Sequence, residues 1–198
     1  ALFEPSNAEL DEMADEFGLH ELAVDDARRG HQRPKIEEYG DELFAALHTF
    51  EHEKGPDGSD ELHTGEVDIF VGPNYVLTVR RRSRQGFLGV RERTEREPEL
   101  LRLGSGFVLY ALMDAVVDRY FPIIDMLETE LETIEEQIFS KARGAARSNI
   151  ERLYELKRRL TVLRHAVAPL HDGSARLHGG RTPSMCAHMQ EYYRDVSD

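Results

Sequence analysis

Between Phe107 and Phe139 the chain spells one long helix in two parts, and no other stretch constrains the fold as strongly. The first part, FVLYALMDAVVDRYFPIID, is apolar almost all round but carries lone carboxylates at Asp114 and Asp118. From Tyr120 onward the apolar residues fall at Tyr120, Ile124, Leu127, Leu131, Ile134 and Ile138. That alternating four-three spacing is the seam of a helix packed lengthwise on partners. Asp125, Glu128, Glu130, Glu132, Glu135 and Glu136 fill the other positions, with no Lys or Arg between Arg119 and Lys141. The next segment has the opposite sign. Leu153, Leu156, Leu160, Leu163, Val167 and Leu170 keep helical spacing, while Arg152, Lys157, Arg158, Arg159 and Arg164 dominate the polar positions. Gly144 and the Ser148-Asn149 pair supply a breaker and a cap between the two. The pattern predicts an antiparallel αα-hairpin of oppositely charged helices, and a solvated helix pair within an ordinary bundle fits the same spacing.

The rest of the chain reads as a small α/β unit. Ser6 or Asn7 caps a helix that ends at Gly18, and a short helix follows from about Leu19 to Ala27. Pro34 ends a loop that begins at Gly30. Leu43 to Phe50, Glu66 to Val71 and Tyr75 to Arg80 read as strands, the last two joined as a hairpin through Gly72-Pro73-Asn74. The run from Gly55 to Asp60 is an exposed turn, and Gln85 to Glu97 is a charged helix. Gly173 to Pro183 reads as a loose segment, and Met185 to Asp198 restarts as a helix. The expected organisation is α+β: an α/β domain over 1–105, a long helical hairpin over 106–172, and a loop with the start of a further helix over 173–198.

Composition narrows the function classes. A formal charge of −13 over 198 residues argues against nucleic acid and fits cationic partners. The Arg80-Arg81-Arg82 and Arg84 run lacks interleaved aromatics and reads as a solvated strand end or a basic patch meeting an acidic helix. One cysteine, Cys186, permits no internal disulfide and suits a reducing compartment. The start, ALFEPSNAEL, has neither basic nor apolar leader character, and no run of about 20 apolar residues offers a membrane span. The chain is therefore expected to be soluble, and unable to conduct ions unaided. There is no Gly-rich phosphate loop, no Gly-x-Ser-x-Gly elbow and no Cys-His cluster, so an enzyme is not expected. His48 and His52 have helical zinc spacing but fall in a strand and its exit, where they would not converge.

Carboxylates are the remaining candidates for site chemistry. Mg²⁺ keeps most of its waters and takes one or two carboxylates directly, so a site for it leaves little local motif. Asp25 and Asp26 are adjacent on a short helix and point about 100° apart, enough to serve two ions or two protomers. Asp114 lies in an apolar run, where a carboxylate needs water, a partner or a cation. A solvated acid pair and an ordinary salt bridge fit the same residues.

YALMDAVVDRYFPIIDMLETELETIEEQIF and LYELKRRLTVLRHAVAPL resemble the cytoplasmic helices of the CorA family of magnesium and cobalt channels. FGLHELAVDDARRGHQRPKIEEYGDELFAALHTF and VDIFVGPNYVLTVR resemble that family's N-terminal domain, and the four blocks stand in the family's order. The resemblance implies an α/β/α sandwich, two long helices, and a stalk helix leading to the membrane. It also implies more strands than the three read above, with the missing ones expected before Ala1. The family binds divalent cations between neighbouring subunits of a homopentamer on the cytoplasmic face of the cell membrane. By motif, those ligands would be Asp26 and Asp25 ahead of His31-Gln32-Arg33-Pro34-Lys35, and Asp114 in Leu112-Met113-Asp114. Asp195 and Asp198 match the two acids of the stalk motif in Tyr192-Tyr193-Arg194-Asp195-Val196-Ser197-Asp198, where Ser197 stands for the family's Tyr. The resemblance thus implies a regulatory domain for a channel carrying Mg²⁺, Co²⁺ or another divalent cation. Two alternatives stand beside it: the zinc-transporting branch of the superfamily, and an acidic helical interaction protein with no transport role.

Overall fold

A computed structural model describes residues 1–54, 60–139, 146–179 and 183–198. A short strand β1 (Leu2–Phe3) leads into α1 (Asn7–Phe17), where Ser6 and Glu9 close a reciprocal capping box. Gly18, left-handed at φ 65°, ends α1. His20 then caps α2 (Glu21–Arg29) by accepting the Leu22 N–H. Strands β2 (Lys35–Tyr39), β3 (Glu42–Lys54), β4 (Asp60–Val71) and β5 (Val76–Arg81) complete one five-stranded sheet in the order β1-β5-β4-β3-β2. All neighbours are antiparallel except β1 with β5. The β4–β5 turn closes where it was expected, with the Gly72 N–H bonded to the Tyr75 carbonyl.

Alternation along the strands divides the core in two. Leu43, Ala45, Leu47, Val67, Ile69 and Val71 face one layer. Phe44, Ala46, Phe70, Leu77 and Val79 face the other, which α1 and α2 cover through Leu10, Ala23, Val24 and Ala27. The first layer is covered by α5 (Ser105–Asp118), reached through α3 (Leu88–Glu95) and α4 (Pro98–Leu101). The result is the expected α/β/α sandwich. Two of its strands escaped the sequence. β2 buries only Ile36 fully and carries Lys35, Glu37 and Glu38, the charged habit of an edge strand; β1 is two residues long. The sheet is thus larger than the three strands read from the sequence, with both additions inside the chain.

The predicted long helix is two helices. It stops after Asp118 and restarts as α6 (Phe121–Phe139), with 3₁₀-type bonds from the Arg119 and Tyr120 amides between them. Pro122 has no N–H to carry the ladder across this point. The Tyr120 hydroxyl, in a buried side chain, donates to the His48 carbonyl at 2.6 Å and so ties the break to β3.

α7 (Ala146–Gly179) then runs antiparallel to α6. Arg152 meets Gln137 at 3.0 Å and Arg159 meets Glu130 at 2.8 Å, equal steps in opposite directions. The hairpin loop and the Gly55–Ser59 turn lie outside the described residues. α7 also absorbs Ser148 and Asn149, read above as caps, and continues through Pro169 and Gly173 to Gly179. The loose segment expected at 173–183 is therefore corrected: residues 173–179 are helix. Packing overrides the breakers there. Gly173 lets α7 press on β2, for a Cβ at that position would lie 2.6 Å from Ile36 Cδ1. A 3₁₀ turn at Ser184–Cys186 and a final helix α8 (Gln190–Ser197) return the chain to α5 and α7.

Candidate metal site

α2 reads Glu-Leu-Ala-Val-Asp-Asp-Ala-Arg-Arg, and its Ala23, Val24 and Ala27 must face the sheet. That leaves Asp25 and Asp26 half-buried on the helix flank. Each has found a cation. Asp25 accepts from Arg28 at 2.8 Å, and Arg28 also pairs with Asp11. Asp26 accepts from Lys35 Nζ at 2.6 Å, and the same ammonium reaches Glu37 at 2.6 Å. Burial alone would pull the Lys35 pKa down, but the Asp26 and Glu37 carboxylates outweigh it and hold the pKa above its ordinary value.

The other candidates gather beside α5. Asp114 pairs with Arg93 Nη2 of α3 at 2.9 Å, and this bond raises the guanidinium pKa against the effect of its burial. One turn earlier on α5, the Tyr110 hydroxyl donates to Asp195 Oδ2 of α8 at 3.2 Å. Burial, then the charges of Asp114 and Asp195, push the Tyr110 phenol up to about 12. Asp114 and Asp195 therefore bear on one phenol, although they are far apart in sequence. Aromatic packing of Tyr192 on Tyr110 and Phe107 holds α8 in this place. Asp198, at the far end of α8, lies 3.6 Å from Arg194.

The five nominated carboxylates thus form two groups. Asp25 and Asp26 ride on α2, over one face of the sheet. Asp114, Asp195 and Asp198 belong to α5 and α8, over the other. Among the described residues no three His, Cys, Asp or Glu side chains are placed to share a metal ion. His48 Nε2 is engaged with the Gln32 carbonyl at 3.0 Å. Lys35, Arg93 and Tyr110, which hold the candidate carboxylates, were missed in the sequence. Only Tyr110, one turn before Asp114, carried a local signal.

A five-stranded α/β/α sandwich continued by a long charged helical hairpin, with acids on both sides of the sheet, defines the class by its architecture. The whole chain, residues 1–198, matches the model of the family described as CorA-like Mg2+ transporter protein. It is 33% identical over 168 residues to the putative metal ion transporter YfjQ of Bacillus subtilis, across 85% of this chain and 50% of that protein. It is 30% identical over 183 residues to the cobalt/magnesium transport protein CorA of Thermotoga maritima, across 92% of this chain and 50% of that protein. The soluble domain of CorA from Methanocaldococcus jannaschii has the same fold, with a TM-score of 0.73 at 20% identity over 98% of this chain and 75% of that one. The chain belongs to the CorA-like family of divalent-cation transporters. It spans about half the length of these curated relatives, and no helix among the described residues is long and apolar enough to cross a membrane.

Proposed function

We propose that this chain is the cytosolic ion-sensing domain of a divalent-cation channel carrying Mg²⁺, and Co²⁺ or Ni²⁺ with it. In a homopentamer at the inner face of the cell membrane, Mg²⁺ held between neighbouring copies would keep the closed state. One observation carries this proposal. The nominated acids lie on opposite faces of the protomer, so a second copy is what brings Asp25 and Asp26 up to Asp114 and Asp195. An ion between copies is a ligand that favours the closed arrangement by differential affinity.

The ion must also compete with protein cations. Lys35 and Arg93 already neutralise Asp26 and Asp114, so binding is weak and reversible, as a sensor of an abundant ion requires. All the nominated ligands are hard carboxylate oxygens, which favours Mg²⁺ over the zinc reading. Family membership favours transport over a helical protein with no such role.

Thermal unfolding at rising Mg²⁺ tests the site. The wild-type midpoint climbs with the logarithm of ion concentration once the site begins to fill. In Asp26→Asn plus Asp195→Asn the baseline moves, because Lys35 and Tyr110 lose acceptors, but the climb with Mg²⁺ should vanish. An equal climb in both proteins sinks the assignment.

A further inference from the structure

Two carboxylates that no function so far uses are buried in the sheet. Glu66 and Asp68 alternate with Val67 and Ile69 on β4 and so share the face covered by α1 and α2. They are 1% and 0% exposed. Glu66 Oε2 accepts the Gln32 backbone N–H at 3.1 Å, but Glu66 Oε1 and both Asp68 oxygens have no donor if the two acids are ionised.

We propose that Asp68 and Glu66 share one proton, Asp68 O–H donating to the Glu66 carboxylate, and that this proton locks α2 and the 30–34 loop onto the sheet. One proton supplies the missing donor and removes one of two like charges from a site without water access.

Charged groups on β5, β3 and α2 bear on the pair. Arg81 of β5 stands opposite Glu66 in register, but its Nε donates to the Ala27 carbonyl at 2.9 Å. His48 of β3 is the other cross-strand neighbour of Glu66, and burial lowers its pKa from the ordinary value. Asp26 of α2 adds negative charge, itself paired with Lys35 of β2. One guanidinium therefore faces two buried acids and a third nearby. Burial first, then the Glu66 charge, hold the Asp68 pKa well above the usual carboxylate range.

The pair holds more than itself. Gln32 connects Glu66 through its amide to the Asp26 carbonyl through its side chain, at 3.4 Å, and Arg81 holds the Ala27 carbonyl. Loss of the proton would place a second charge under this segment and loosen the end of α2. The sign is fixed by the direction of the shift. A carboxyl kept protonated by the fold contributes its full stability below the ordinary value near 4 and loses it as pH rises through the folded pKa.

Side-chain carboxyl ¹³C NMR of the whole chain, assigned through the backbone, reads the proton directly. The Asp68 carboxyl carbon should keep its protonated shift after surface aspartates have titrated, and the Gln32 amide should exchange faster once it changes. Titration of Asp68 together with the surface aspartates overturns the proposal. So does an Asp68 signal that moves with added Na⁺ at constant pH, which would make the pair a cation seat. Asp68→Asn replaces the O–H donor with an N–H donor. Its melting temperature should approach that of the wild type at low pH and rise above it as pH increases. A constant difference at every pH counts against the shared proton.

Discussion

Tyr193 and Gly106 show how much one contact decides. Tyr193 is fully buried; its hydroxyl donates to the Gly106 carbonyl at 2.8 Å and lies 3.3 Å from Cys186 Sγ. Tyr193→Phe removes this second donor to a carbonyl in the first turn of α5 and should cost about 0.5–1.5 kcal/mol in denaturant unfolding. Gly106→Ala is expected to be worse. The added Cβ would sit 2.1 Å from the Met185 backbone oxygen, and separating two backbones costs on the order of 3 kcal/mol. An unchanged unfolding midpoint in Gly106→Ala would mean that the 183–189 segment yields easily. Tyr110 gives a pH signature at the same scale. Its phenol, pushed up to about 12, contributes stability that is present below about 10 and lost as pH rises through the folded value. Ultraviolet titration should show Tyr110 ionising earlier in Asp114→Asn plus Asp195→Asn, since both neighbouring charges are gone. No change would mean that burial alone holds it.

Among the elements, the α6–α7 hairpin separates ion pairs that matter from those that decorate. Glu130 and Arg159 are about one-fifth exposed, and a charged hydrogen bond at such a site contributes about 1.5–3 kcal/mol. Arg147 and Glu151 are 92% and 67% exposed, where a pair contributes at most about 0.5 kcal/mol. Arg159→Leu should therefore lower the melting temperature clearly and Arg147→Leu hardly at all. Equal effects would show that α6 and α7 are held by their apolar seam alone. That seam is only partly buried within the chain. Tyr120, Leu127 and Ile134 are buried, while Leu131 and Ile138 remain exposed, as do Tyr154 and Leu160 of α7.

For the whole molecule, part of the apolar seam is exposed, while a net charge of −13 opposes association between copies. Light scattering should find little association in chelator and more as Mg²⁺ is added. A robust pentamer in chelator would show that the charge repulsion is weaker than the apolar contacts and that the ion is not needed. The same experiment with Asp26→Asn plus Asp195→Asn separates binding at the nominated acids from general screening of charge, which that variant keeps.

Local chemistry wrote much of this protein into its sequence. The four-three spacing of Leu127, Leu131 and Ile134 and the charge change from Glu130 to Arg159 pointed to an antiparallel hairpin, because both patterns act between near neighbours, though a helix pair in a bundle fits the same spacing. The alternation through Val67, Ile69 and Val71 required a sheet buried on that face. The nominated carboxylates, too, could be named from their motifs, but not their surroundings. Lys35 and Arg93 became partners of Asp26 and Asp114 only when β2 and α3 were placed beside α2 and α5. The break at Arg119–Tyr120 needed β3, which offers the His48 carbonyl to Tyr120. Gly173 stays helical because Ile36 packs against it across the chain. Glu66 and Asp68 look like ordinary strand acids until α2 closes over them, since desolvation belongs to the packed layers and to no residue alone.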